Sequence, residues 1–295
     1  MNHLKTVICG IDFSDGSRCA LRQAARMASW NRARLIAVHV IEETFLQSLF
    51  EIDLGSLEKT SAEALDQLVF EVLGDSKKAE IIILRGQPFQ ELSDFVDQQT
   101  GDLLVLGING HSAQKRKPEG TGQLASRCVR MIPTRVLLVR DQPSDFRHIV
   151  HCTDFSETAA LAFEEAIAIA RQENATLEIL HATIDANSIT YALTDARLAS
   201  LMTTRSIRLR VKRQMDHYIA ARQNQLMDLK VHERIIETRT SLGKALVKMI
   251  DESAADLVVL GTRGSGTFKG LLMGTTAERI ISRTPCSALT VKPAG

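Results

Sequence analysis

No stretch of this chain is apolar for long enough to span a membrane, and its charges cancel: 36 lysines and arginines stand against 35 aspartates and glutamates, a formal net charge of +1. The first absence excludes a helical membrane span. The second removes the global electrostatic footprint of a nucleic-acid binder. Cysteines are few, and the five, Cys9, Cys19, Cys128, Cys152 and Cys286, are odd in number with no Cys-x-x-Cys spacing, which argues against a disulfide framework and against zinc. Cys9 and Cys152 fall inside apolar runs, where a small buried thiol packs well. The first residues lead straight into an apolar run and leave no room for a secretory or transit peptide, so the cytoplasm is the expected compartment. The two commoner nucleotide motifs are missing as well: no Lys-[Ser/Thr] closes a P-loop, and no glycine cluster follows the first strand as in a dinucleotide fold.

What is there is a duplication. Asp12-Phe13-Ser14-Asp15 recurs as Asp154-Phe155-Ser156-Glu157, and His39 recurs as His181 at the same offset. With 295 residues and 44% hydrophobic content the chain can bury two good cores, and the repeat divides it into residues 1–141 and 146–295, with the polar stretch Asp141–Asp145 as linker. Asp102-Leu103-Leu104-Val105-Leu106-Gly107 matches Asp256-Leu257-Val258-Val259-Leu260-Gly261 at a larger offset, so the second half carries roughly twelve extra residues, placed here in its long polar helix.

Each half alternates short β-branched runs with helical patterns, the signature of a parallel sheet with crossover helices. Strands are expected near Thr6–Ile11, Leu35–Val40, Ile81–Leu84, Leu103–Leu106 and Val136–Val139, then near Ile149–Cys152, Leu177–His181, Val231–Ile236, Leu257–Leu260 and Ala288–Val291. The last strand of each half would be an exposed apolar edge, which pairing Val136–Val139 with Ala288–Val291 would remove. Ser14 and Ser156 are candidate N-caps of the helices ending near Trp30 and Arg171, which places each Asp-Phe-Ser at a strand-to-helix turn, on the sheet edge where open parallel sheets bind ligands.

Glycine punctuates the same edge. Gly107-Ile-Asn-Gly110 follows one apolar run and Gly261-Thr-Arg-Gly264 the other; in the second half Gly274-Thr275-Thr276 comes where a helical pattern begins. Glycines admit a ligand close to the backbone, and a helix N-terminus favours anions, so Gly261-x2-Gly264-x9-Gly274-Thr275 reads as a phosphate-binding loop, with Arg263 and Lys269 as cations and Thr275 or Thr276 as hydroxyl donor. The alternative is a glycine-rich turn that binds nothing. Asp154 and Asp12 could accept hydrogen bonds from a ribose hydroxyl or an adenine amine, or could simply complement a helix dipole. Gly107-x2-Gly110-x9-Gly120-Thr121 repeats the spacing formally, yet counting back from Pro133, the match of Pro285, makes Gly122 followed by Gln123 the counterpart of Gly274. Lys115, Arg116 and Lys117 in that loop read as a phosphate clamp or, more commonly, a solvated tip. His39 and His181 lack partners at metal-ligand spacing, so packing and backbone hydrogen bonding is expected of them. Arg205, Arg208, Arg210, Lys212 and Arg213, interleaved with Leu201, Met202, Leu209, Met215 and Ile219, read as the exposed face of an amphipathic helix, with a surface for acidic partners as the second reading.

Taken in order, strand, Asp-Phe-Ser, helix, strand ending in His, Gly-x2-Gly-x9-Gly-[Ser/Thr] loop, helix, and Thr284-Pro285-Cys286 before a terminal strand, these parts resemble the universal stress protein family over essentially the whole chain, as two tandem domains. The resemblance implies α/β architecture: two flavodoxin-like or Rossmann-like domains, each a five-stranded parallel sheet with helices on both faces, paired as an intramolecular pseudo-dimer, with a homodimer as a further option. In the family's ATP-binding branch it implies ATP, with Asp154 and the backbone at Ala182 contacting adenosine, and Gly261, Arg263, Gly264, Gly274, Thr275 and Thr276 contacting phosphate. In the first half the matching positions are Asp12, Val40, Gly107, Gly110, Gly120 and Thr121. Magnesium would be held through the phosphates and water. The implied role is regulatory or protective under stress, with at most a slow ATPase activity, since no histidine or carboxylate is clearly poised to activate water. Protein partners are not named by any motif. A nucleotide-free scaffold of the same fold is the alternative, and an adenylate-transferring enzyme is disfavoured by the absence of His-x-Gly-His.

Overall fold

The structure is a computed structural model that describes residues 4–42, 54–108, 121–140, 145–185, 204–264 and 273–293. Two compact units emerge: residues 1–145 with 287–290, and residues 146–286 with 291–295. The linker stretch 141–144 lies outside the described residues.

The first unit runs β1 (Thr6–Ile11), α1 (Asp15–Asn31), β2 (Arg34–Ile41), α2 (Leu54–Leu73), β3 (Glu80–Arg85), α3 (Pro88–Gln98), β4 (Leu103–Gly107), α4 (Gln123–Met131) and β5 (Arg135–Val139). Its sheet has the order β3-β2-β1-β4-β5, extended by the chain's last strand β10 (Ser287–Val291). The first five strands are parallel: Thr6 lies opposite Arg34, Val7 opposite Leu103, Leu103 opposite Arg135. Every position of β1 is buried, which requires cover on both faces and explains why the sequence reads as a continuous apolar run there. α1 packs with α2, and α3 with α4.

β10 joins this sheet antiparallel, with Ala288 opposite Leu138 and Thr290 opposite Val136, so the apolar edge of β5 is paired as expected. Thr290 Oγ1 donates to Val136 O at 3.1 Å and Arg140 N–H donates to Ser287 Oγ at 3.1 Å, so side-chain hydroxyls reinforce the ladder.

The second unit repeats the pattern with β6 (His148–Cys152), α5 (Glu157–Glu173), β7 (Thr176–Ile184), α6 (Thr204–Ala220), α7 (Gln223–Leu226), β8 (Val231–Thr238), α8 (Leu242–Glu252), β9 (Leu257–Gly261) and α9 (Thr275–Arg283). Its four strands β9-β6-β7-β8 are parallel; the fifth strand of this half, β10, is counted with the first unit except for Val291. The described part of α6 has 17 residues against 20 in α2. α7 follows it, and residues 186–203 before it lie outside the described residues.

Local chemistry explains the shared frame. Ser14 and Ser156 cap α1 and α5 by accepting the N–H of Ser17 and Ala159, and both helices end on a left-handed residue, Arg32 (φ 53°) and Asn174 (φ 51°). Asp102 Oδ2 accepts the N–H groups of Lys5 (2.7 Å) and Thr6 (3.0 Å); Asp256 Oδ2 accepts those of Arg147 and His148, both at 2.8 Å. These two aspartates hold the start of the central strand against the start of its neighbour. In both units the strand order turns outward in opposite directions from the paired first and fourth strands, β1/β4 and β6/β9, and such sheets open a crevice at the carboxyl edge of that junction. No helix among the described residues is long and apolar enough to cross a membrane.

Candidate functional site

The turn after β6 is a strained, internally bonded unit. Asp154 is exposed, and its Oδ1 accepts the Ser156 N–H at 3.0 Å, closing an Asx turn; Thr153 Oγ1 accepts the Phe155 N–H at 3.0 Å. Phe155 sits at φ 63°, and its counterpart Phe13 at φ 62°, a left-handed conformation that a bulky side chain adopts only when its surroundings enforce it. The enforcement is visible: the Phe155 ring packs 4.4 Å from His181 and 5.5 Å from Tyr218, centroid to centroid. His181 Nδ1 lies 2.8 Å from Thr153 O. A carbonyl only accepts, so the proton is on Nδ1 and the ring holds the turn. Burial lowers the His181 pKa against the pull of that hydrogen bond and of Asp154. His39 repeats the arrangement with Ile11 O at 2.8 Å and Phe13 at 4.6 Å, so both histidines have the structural role expected of them.

Across the β6/β9 junction, Gly261 ends β9. A Cβ there would come within 2.9 Å of the Thr158 carbonyl carbon and 3.0 Å of Ala159 N. The glycine is therefore required by close packing on the first turn of α5, whether or not a ligand is near. Thr262, fully buried, anchors the start of the loop: its N–H donates to Val291 O at 3.0 Å, and its own carbonyl accepts the Gly274 N–H at 2.8 Å. One residue on, the carbonyl of Arg263 accepts the Ser156 hydroxyl at 3.4 Å. The loop after β9, the turn after β6 and the start of α9 are thereby tied together.

Gly274 is the N-cap of α9, and no side chain caps that helix. Thr275 is exposed and Thr276 half-buried in its first turn. The helix start thus offers backbone donors to an anion. Ala182 lies buried in β7 opposite Ile236, near the turn because Thr153 N–H donates to Leu180 O at 3.0 Å. Gly264 is half-buried; Lys269 lies outside the described residues.

In the first unit, Gly107 packs as Gly261 does, with a Cβ falling 2.7 Å from the Gly16 carbonyl carbon. Ser14 N–H donates to Asp12 Oδ1 at 3.1 Å, and Val40 lies in β2 opposite Leu84. The helix after the loop starts differently. Gly122 is the N-cap of α4, and its N–H donates to Ile108 O at 2.9 Å, the bond that Gly274 makes to Thr262. Gly122, not Gly120, therefore matches Gly274, and Thr121 precedes the cap. The residues in the places of Thr275 and Thr276 are Gln123 and Leu124, so the hydroxyls are gone. Gly110, Gly120, Lys115, Arg116 and Lys117 lie outside the described residues.

Two features went unread in the sequence. Lys292, directly after β10, is half-buried and within electrostatic reach of Arg263; its advance signal is a basic residue, Arg140, in the same place after β5. The other is a buried chain in the second unit: His151 Nε2 lies 3.0 Å from Tyr218 Oη, which donates to Ala159 O at 2.8 Å, with Phe163 stacked 4.9 Å from His151. Burial drives His151 down to about 3 and Tyr218 up to about 12. Beside it, α6 presents Val211, Met215 and Tyr218 inward, while Leu209, expected on the apolar stripe, is 50% exposed. Leu201 and Met202 lie outside the described residues. Arg208 pairs with Glu237, and Lys212 with Asp216 and Glu233, so part of the basic run is spent on ion pairs within the unit. A cleft of about 690 Å³ opens along α6, lined by Arg210, Arg213, His217, Tyr218 and Phe155.

The universal stress protein family model matches residues 3–140 and again residues 145–292. A universal stress protein of Mycolicibacterium smegmatis is 24% identical over 303 residues, covering 97% of each chain. Among solved structures, a universal stress protein from Archaeoglobus fulgidus aligns with a TM-score of 0.67 at 21% identity, over 97% of this chain and 96% of that one. A protein of unknown function from Pseudomonas aeruginosa aligns at 0.68 and 15% identity, over 98% and 93%. With the same family model matched once in each half, the chain belongs to the universal stress protein family as a tandem member.

Proposed function

We propose that the second unit binds ATP at the carboxyl edge of β6 and β9, and that the protein uses this nucleotide in a regulatory or protective role under stress in the cytoplasm. One observation carries the reading: a side-chain-uncapped helix start at Gly274, the Arg263 loop and the Asp154 turn are joined at the junction where the strand order reverses. In this reading Asp154 and the backbone at Ala182 hold adenosine, while Gly261, Arg263, Gly264, Gly274, Thr275 and Thr276 surround the phosphates. Gly261 contributes by bringing the loop against α5, so its backbone rather than open space is what the ligand meets. The residues present fit a polyphosphate: backbone donors without a side-chain cap and a neighbouring cation are what such an anion requires. Magnesium would neutralise phosphate charge; the chain's own residues would orient the phosphates and exclude water.

The first unit has Asp12, Val40 and Gly107 in matching places but starts α4 with Gln123 and Leu124, which favours occupancy of the second unit. Mass spectrometry of small molecules released from the denatured full-length protein tests the reading. Bound adenine nucleotide supports it; protein that neither carries nor binds adenine nucleotide would make the chain a scaffold.

A further inference from the structure

The backbone around Thr262 brings a second cation to the phosphate side of this site. Thr262 N–H donates to Val291 O at 3.0 Å, and Thr262 Oγ1 lies 3.4 Å from the same carbonyl. The residues that follow in the two strands are Arg263 and Lys292, so this hydrogen-bonded rung brings their backbones close together, and the Arg263 charge acts on the Lys292 ammonium. The other bond of Thr262, from Gly274 N–H at 2.8 Å, fixes the start of α9 to the same rung. Lys292 is half-buried and Arg263 exposed. Burial, and then the Arg263 charge, draw the Lys292 ammonium down from 10.5 to about 8. Two cationic residues whose backbones are tied to a helix N-terminus, itself partly positive, make a place that disfavours cations and favours a multiply charged anion.

We propose that Lys292 and Arg263 form a two-cation clamp for the polyphosphate of a nucleoside di- or triphosphate, with Lys292 as a phosphate-specificity residue of the second unit. The inference rests on the nucleotide reading above and extends it to discrimination by phosphate number. The first unit has half of this device. Ile108 N–H donates to Val139 O at 2.8 Å, which places Arg140 as Lys292 is placed, but the residue after Ile108 is Asn109, uncharged and outside the described residues.

The test is calorimetric titration of the full-length protein with ATP, adenosine and inorganic tripolyphosphate, using the wild type, Lys292→Met and Lys292→Arg, each checked by thermal melting. Lys292→Gln supplies a second neutral variant if Lys292→Met melts early. A charge-assisted phosphate contact predicts that the neutral variants lose about tenfold or more in affinity for ATP and tripolyphosphate. Adenosine binding should stay unchanged, and Lys292→Arg should retain most of the ATP affinity. Unchanged ATP affinity in a folded neutral variant overturns the clamp and leaves the nucleotide reading standing. Equal losses for ATP and adenosine also overturn it, since a structural role alone would produce them. If wild type binds tripolyphosphate through Lys292 but not ATP, the clamp holds and the adenine reading fails. Failure of wild type to bind any of the three overturns both.

Discussion

The hydroxyl of Ser156 donates to the main-chain carbonyl of Arg263 at 3.4 Å while its oxygen accepts the Ala159 N–H at 3.2 Å. One small side chain both caps α5 and holds the loop after β9 against the turn after β6. Ser156→Ala should cost about 1 kcal/mol through the lost cap and should also weaken ATP binding, because the tie to Arg263 goes with it. Ser14→Ala should show a stability loss of similar size with no effect on ATP. Melting curves and ATP titrations of the two variants check this, and matching ATP affinities would show that the tie is not part of the site.

Asp154 offers a cleaner probe of adenosine recognition. Its Oδ1 already serves the Ser156 N–H, so Asp154→Ala loosens the turn as well as removing a ligand group. Asp154→Asn keeps an oxygen for that bond and removes the charge. If the carboxylate holds the ribose, both variants raise the dissociation constant for ATP, Asp154→Ala the more. Single-turnover hydrolysis by saturated protein should stay near the wild-type rate and well below the ~1–100 s⁻¹ of kinases. A large fall in that rate with affinity intact would make Asp154 catalytic.

Gly107 and Gly261 should prove structural. A Cβ at either position meets backbone atoms in the first turn of α1 or α5, the helix after the neighbouring strand, 2.7 Å from the Gly16 carbonyl carbon or 2.9 Å from that of Thr158, and backbone cannot move aside as a side-chain tip can. Gly107→Ala and Gly261→Ala are each expected to lower stability by about 1–3 kcal/mol, measured by denaturant unfolding without ligand. Wild-type stability in both would mean that these glycines answer to a ligand alone.

The His151–Tyr218 chain makes the second unit acid-sensitive. His151 is buried and its folded-state pKa, about 3, lies below the 6.5 of an ordinary histidine. The unfolded chain therefore binds the extra proton. This contribution is intact above about pH 6.5 and is lost as pH falls from there toward 3, with a slope of up to about 1.4 kcal/mol per pH unit. His151→Gln should flatten the stability profile over that window, whatever its effect at neutral pH. A variant profile parallel to wild type would show that another group governs the acid limb. His148 acts in the opposite sense: Glu178, 3.2 Å away, raises its pKa, so its stabilisation is present at low pH and fades as pH rises through the folded value.

Much of the fold was legible because it depends on short-range patterns. All ten strands fall where the alternation of short apolar and β-branched runs places them; β1, β4 and β9, buried along almost their whole length, leave the clearest apolar runs, and Ser14 and Ser156 cap as their position before a helical pattern requires. Counting back from Pro133 identified Gly122 as the partner of Gly274, which the matching bonds to Ile108 and Thr262 now explain. Long-range features left no comparable trace. His151, Phe163 and Tyr218 come from three separate elements, and nothing in their spacing announces a stacked, hydrogen-bonded chain. Lys292 follows the last strand with no motif around it, and only the Thr262–Val291 rung brings its backbone to that of Arg263. The αL conformation of Phe13 and Phe155 is equally silent, because the rings they pack on, His39 and His181, come from the next strand.

The central claim is a single nucleotide site in the second unit, and titration of ATP into wild type, Gly274→Leu and Gly122→Leu tests it most directly. Gly274 has φ −74° and Gly122 φ −57°, backbone conformations open to any residue, so neither variant strains the dihedrals; a Cβ at Gly122 does approach Ile108 O to 3.3 Å, so both variants are first checked by thermal melting. One ATP per chain, lost in Gly274→Leu and retained in Gly122→Leu, is the expected result. Wild type that binds no ATP, or equal losses in the two variants, would contradict it.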